Sequence, residues 1–249
     1  MSENDLPEQD GDALIALLMD SARNGTELDE SFPGETANEL LGRLHQGFPV
    51  ERILPMLESE HAARGDGLFL ISELGERLSP IATDLVRLLA RSRDSWSVAR
   101  AVSTDLLELS ELSTPTIAAI VRLLPGLRDP TSEADDGEVL FCALQVLGRA
   151  RPEQLGEVAV AIDDDRLSEL LTWLRDVGGD PNRADRIEDR LAGNDLLAVV
   201  FAVAAAARIA GDVGAPLRRV AAESTEPAIR DFARNELGLG RQGRARWNL

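Results

Sequence analysis

The stretch Leu70-Ile71-Ser72-Glu73-Leu74-Gly75-Glu76-Arg77-Leu78-Ser79-Pro80-Ile81-Ala82-Thr83-Asp84-Leu85-Val86-Arg87-Leu88-Leu89 holds two apolar stripes on either side of one proline. Leu70, Ile71, Leu74 and Leu78 recur at helical spacing, and so do Ile81, Leu85, Leu88 and Leu89. Proline suits the first turn of a helix, where its missing N–H is not needed and its fixed φ is already helical. The stretch therefore predicts a helix, a short break marked by Gly75, and a second helix entered at Pro80.

The same arrangement recurs along the chain. Pro49, Pro80, Pro115, Pro152, Pro181 and Pro216 are spaced by 31, 35, 37, 29 and 35 residues. Periods in this range signal stacked helix pairs. Each proline is expected to open the second helix of a pair. The cores of these helices read Ile53, Leu54 and Leu57; Ile117, Ile120, Val121 and Leu124; Leu155, Val158, Ala159 and Ile162; Ile187 and Leu191; Leu217, Val220 and Ala221. First helices carry Val98, Val102, Leu106 and Leu109; Leu140, Leu144 and Leu147; and Leu167, Leu170, Leu171, Leu174 and Val177. Gly148 near a helix end allows close packing or a tight exit. Asp163-Asp164-Asp165 suits a helix start, and Arg128-Asp129-Pro130-Thr131 and Gly178-Gly179-Asp180-Pro181 read as turns. An earlier helix carries Leu14, Leu17 and Leu18 after a frayed acidic start at 1–11, and Asn24-Gly25 closes it.

Glu226-Pro227-Ala228-Ile229-Arg230-Asp231-Phe232-Ala233-Arg234-Asn235-Glu236-Leu237-Gly238 resembles the first helix of a HEAT repeat, with its acidic loop, aliphatic-Arg pair, small residue and closing Leu-Gly. Ser72-Glu73-Leu74-Gly75 followed by Pro80-Ile81-Ala82-Thr83-Asp84-Leu85 resembles the rest of such a unit. The resemblance spans residues 35–238 with uneven repeat lengths. It implies an all-α, right-handed α-α superhelix, a HEAT-like (armadillo-type) solenoid of about six helix pairs. The expected organisation is an acidic N-terminal segment with one helix at 1–34, the repeat domain at 35–238 and a basic tail at 239–249.

Composition agrees with packed helices. The 249 residues are 44 % hydrophobic and only 4 % aromatic, with no Tyr, so Leu, Ala, Val and Ile must build the core. The net charge is −18, and every basic residue is Arg. Such a surface repels phosphate backbones and suits solubility, life at high salt, or the capture of a basic protein. The N-terminus is acidic where a secretory signal is basic. The longest apolar run, Leu196 to Ala207, is short of the roughly 20 residues a membrane span needs, and reads as a buried helix. The lone Cys142 lies in an apolar stretch and reads as a core thiol, which fits a cytoplasmic protein.

No catalytic set emerges. His45 and His61 lack metal-ligand spacing, and Gly65-Asp66-Gly67 lacks the Gly-Lys pair of a phosphate loop. Asp163-Asp164-Asp165 and Asp135-Asp136 read as caps rather than cation sites. Trp173 reads as core edge, and Trp96 as either a staple at a helix start or a partner anchor; Trp247 lies in the tail. No cofactor or metal is expected. The leading functional expectation is a non-catalytic scaffold that binds a basic protein, in one version a bacterial immunity protein neutralising a toxin. The Pro-started helices would present Glu51, Arg52, Asp84, Arg87, Arg122, Glu153, Glu157, Arg183 and Arg186 to the partner. Nucleic-acid and membrane partners are not expected. The alternatives are a HEAT-like enzyme, resembling alkylbase DNA glycosylases or bilin lyases, and an assembly subunit of a larger complex.

Overall fold

A computed structural model describes residues 6–24, 34–59, 63–92, 95–127, 136–209 and 211–235. The described residues are predominantly helical, with no strand among them. They form two compact units, Met1–Leu112 and Ser113–Leu249. The boundary between them falls inside the span read from sequence as one repeat domain. The tail at 239–249, Trp247, His61, Asp135, the turn at 128–131 and the close of the HEAT-like segment at 236–238 lie outside the described residues.

The first unit contains α1 (Leu6–Asn24), α2 (Glu35–His45), α3 (Leu54–Leu57), α4 (Ala63–Leu74), α5 (Ala82–Arg91) and α6 (Trp96–Glu108). Helix α4 packs against both α2 and α6, which makes a row of first helices. The 3-10 turns Val50–Ile53 and Gly75–Ile81, which lead into α3 and α5, pack on each other. Pro49 and Pro80 therefore enter through 3-10 turns, and the α-helices proper start at Leu54 and Ala82. Gly75 takes φ +50°, a left-handed conformation that lets the chain leave α4 abruptly. The stripes Leu70, Ile71, Leu74 and Leu78, and Ile81, Leu85, Leu88 and Leu89, are all buried. Fully burying one such side chain contributes about 1.5–3 kcal/mol, so these eight positions dominate the local energetics.

Helix α1 is longer than expected, starting at Leu6, and it packs on α2 and α4. Its buried face carries Ile15 and Leu18, whereas Leu17 is 47 % exposed, contrary to the expected stripe. Helical geometry explains the difference: Ile15 and Leu18 are three apart and share a face, and Leu17 points away from it.

The second unit contains α7 (Thr114–Val121), α8 (Gly137–Arg149), α9 (Pro152–Ala161), α10 (Asp165–Val177), α11 (Ala184–Leu191), α12 (Leu196–Arg208), α13 (Gly211–Ala222) and α14 (Pro227–Asn235). Helices α9 and α10, α11 and α12, and α13 and α14 form tight antiparallel hairpins in sequence order. Helix α12 is the hub, packed against α8, α10, α11, α13 and α14. That placement explains its composition: Val200 to Ala206 are all at most 1 % exposed, so no polar face is left to expose. Gly148 of α8 faces α12, and a Cβ there would stand 3.7 Å from the Ala207 side chain. The α8–α12 and α8–α14 contacts skip α10, so this unit does not keep the single row of first helices found in the first unit. An edge-to-face pair of Phe141 and Phe232, with ring centroids 6.1 Å apart, joins α8 to α14.

Pro152 stands at the first position of α9 and Pro115 in the first turn of α7, as expected. Pro181 enters a 3-10 turn before α11. Pro216 departs from the expectation, because α13 already begins at Gly211 and holds the proline in its interior.

Candidate functional site

The residues read as partner-facing sit on the exposed sides of the Pro-started segments. Glu51 and Arg52 lie on the 3-10 turn before α3, and Asp84 and Arg87 on α5. Arg122 caps the end of α7, Glu153 and Glu157 lie on α9, Arg183 precedes α11 and Arg186 lies within it. Asp84 and Arg183 are half-buried, and the others are exposed.

Several of them serve internal ties. Arg52 makes a bidentate pair with Asp12 of α1, with Nε 3.0 Å from Oδ1. Arg87 pairs with Asp84 one turn earlier, and Arg183 pairs with Asp180 at 3.2 Å. The Asp180 carboxyl is held below the usual Asp range, chiefly by the backbone N–H of Asn182. In the second unit, Arg122 donates to the carbonyl of Ala161 at 2.9 Å, and Glu157 accepts from the Thr114 hydroxyl at 2.7 Å. Both contacts join α7 to α9. Among the described residues, Glu51, Arg87, Glu153 and Arg186 are the exposed charges of the set that make no such tie between elements.

Further ties span 29 to 43 residues, beside proline spacings of 29 to 37. Arg91 to Glu58, Glu76 to the Ser110 amide, Arg122 to Ala161, Thr114 to Glu157 and Arg166 to Asp195 connect residues 33, 34, 39, 43 and 29 apart.

A cleft of about 270 Å³ opens beside the first turns of α10 and α12. Its apolar lining is Leu124, Pro125, Leu127, Leu196, Leu197 and Val200, and its polar lining is Asp164, Arg166 and Asp195. Asp164 caps α10 by accepting from the Leu167 amide at 2.9 Å, and Asp195 caps α12 through the Leu197 amide at 3.2 Å. Arg166 forms an ion pair with Asp195 across the two helix starts. Asp163 and Asp165, on either side of Asp164, are exposed. The cap reading of this acidic run thus holds for Asp164, and the cleft it borders has no signature in the sequence alone.

No protein-family model matches this chain, and neither does any curated protein or solved structure.

Among the described residues, no group of three or more His, Cys, Asp or Glu is placed to hold a metal ion. His45 is exposed at the end of α2. Cys142 is fully buried, and its thiol is pushed up to about 12 by burial first and by Glu138 second. Trp173 is 8 % exposed, at the core edge, with the Arg190 guanidinium 4.2 Å above its ring. Trp96 opens α6 and is 53 % exposed, so it is no buried staple; Arg100 lies 5.2 Å from its ring. No described helix is long and apolar enough to cross a membrane.

Proposed function

We propose that this protein is a non-catalytic binding module whose partner is a basic protein. The observation that carries the reading is the charge, −18 over 249 residues, together with carboxylates left exposed on the Pro49 and Pro152 segments. Glu51, Glu153 and Glu157 are such groups, and Asp163, Asp164 and Asp165 extend them in the second unit. A field of this sign speeds the encounter with cationic surfaces and opposes duplex DNA. The ties at 29 to 43 residues support a HEAT-like repeat origin for the helix pairs, and such arrays serve as binding surfaces. A bacterial immunity protein that blocks a basic toxin is one concrete form of this function, with the cytoplasm as its place of action.

The test reverses Glu51, Glu153 and Glu157 together to Lys. Immobilised wild-type protein is expected to retain one discrete basic partner from its native lysate, and the triple variant to lose it. Recovery of the same partner by both proteins would reject these residues as partner contacts.

A further inference from the structure

We infer that the cleft between the first turns of α10 and α12 receives a single aliphatic side chain from a basic segment of the partner. This rests on the reading of the chain as a binder of basic protein and names where one contact is made.

Size argues for a side chain rather than a whole small molecule. Sites that enclose ligands run to about 300–1,000 Å³, and this cleft holds about 270 Å³ while remaining open to solvent. Its floor is made of aliphatic groups: Leu124, Leu127, Leu196, Leu197 and Val200. Leu196 and Leu197 are only half-buried on the first turn of α12, whereas Val200 to Ala206 are sealed, so the apolar surface of the helix reaches solvent here. A residue that fills the cleft would complete that burial.

The charge around the opening selects the flanks of the segment. Asp164 and Asp195 line it, and Asp163 and Asp165 flank Asp164 in sequence. Among the described residues that line the cleft, one guanidinium, Arg166, opposes these four carboxylates, and it is already paired with Asp195. The two helix N-termini add roughly half a positive charge each, too little to cancel the remainder. An aliphatic residue flanked by Lys or Arg complements both floor and rim, and a residue flanked by Asp or Glu does not.

The experiment titrates the full-length protein with two fluorescent nonapeptides, each of eight lysines around a central Leu or a central Gly, and follows anisotropy at low and moderate salt. The Leu peptide is expected to bind about 10-fold tighter, the gain from burying one such side chain. Leu197→Gln is expected to erase the Leu-over-Gly preference while both peptides still bind. Replacing Asp163, Asp164 and Asp165 together by Asn keeps the cap, since Asn caps as well as Asp, and is expected to weaken both peptides alike. Circular dichroism confirms that each variant is folded. Equal affinities of the two peptides for the wild type would overturn the cleft assignment and leave the acidic-surface reading standing. No binding of either peptide at low salt would overturn both.

Discussion

The carboxyl of Asp105 lies on α6 at 6 % exposure, and its Oδ2 has no hydrogen-bond partner among the described residues. Burial first, and the charge of Glu108 second, push it up to about 7, against an ordinary value of 3.8. The folded protein therefore binds this proton more tightly than the unfolded chain. The proton's contribution is complete below about pH 4 and is lost as pH rises through 7. Asp105→Asn removes the charge with little change in shape. At about pH 8 it is expected to raise the melting temperature by roughly 5 °C, which corresponds to about 1 kcal/mol in a domain of this size. At about pH 5 the gain shrinks. Thermal melts of both proteins at the two pH values check this, and an equal gain at each would remove Asp105 as the cause. The position was legible in part: residue 105 lies seven after Val98, three after Val102 and four before Leu109, inside the buried stripe. Residue type argued the other way, because Asp is assigned to solvent by default. The cap at Asp164, in contrast, follows from local chemistry and was readable directly.

At the scale of elements, Arg208 closes the end of α8. From the last turn of α12 its Nη1 donates to the carbonyls of Leu147 at 3.1 Å and Ala150 at 2.7 Å. Burial lowers the pKa of the guanidinium. Helix C-terminal carbonyls lack partners of their own, so this side chain satisfies groups that α8 cannot. Arg208→Ala leaves them unpaired in a half-buried place and is expected to cost about 1–3 kcal/mol. Urea unfolding measures the loss; a midpoint within error of the wild type would show that water replaces the arginine. A cap at the other kind of terminus gives a smaller effect. Ser113 accepts from the Thr116 amide at 3.3 Å, and Ser113→Ala is expected to cost about 1 kcal/mol in the same assay. The apolar stripes that define these helices were readable because burial repeats every 3.6 residues. The start of α13 was not, since a proline placed one turn and more inside a helix gives the same local signal as one at its entrance. Nor was the α8–α12 contact, which depends on how hairpins lie together rather than on any one stretch; the small residues Gly148 and Ala207 at the contact were its only trace.

Across the whole molecule, the excess of like charge opposes folding through self-repulsion. Raising ionic strength from about 0.01 M to about 0.15 M shortens the screening length from about 30 Å to about 8 Å. The melting temperature is therefore expected to rise with salt even though exposed ion pairs such as Arg91–Glu58 weaken, since each contributes at most about 1 kcal/mol. A fall in melting temperature over this range would mean the ion pairs dominate. Cys142 offers a reporter confined to the Ser113–Leu249 unit, because its buried, protonated thiol reacts only when that unit opens. Arg208→Ala is expected to speed its labelling by a thiol reagent, and Asp105→Asn to leave the rate unchanged. Acceleration by neither change would place the opening event elsewhere.

The arginine latch between α12 and α8 reaches across about 60 residues, bypassing α9, α10 and α11. In a linear array, lineages can gain or shed a module with little penalty, because every copy meets only the next. Here, excising one helix pair from between the latched helices would shift the register of Arg208 against the carbonyls it must reach, so natural variants of this half of the chain should keep their module number fixed and vary instead in the lengths of the turns.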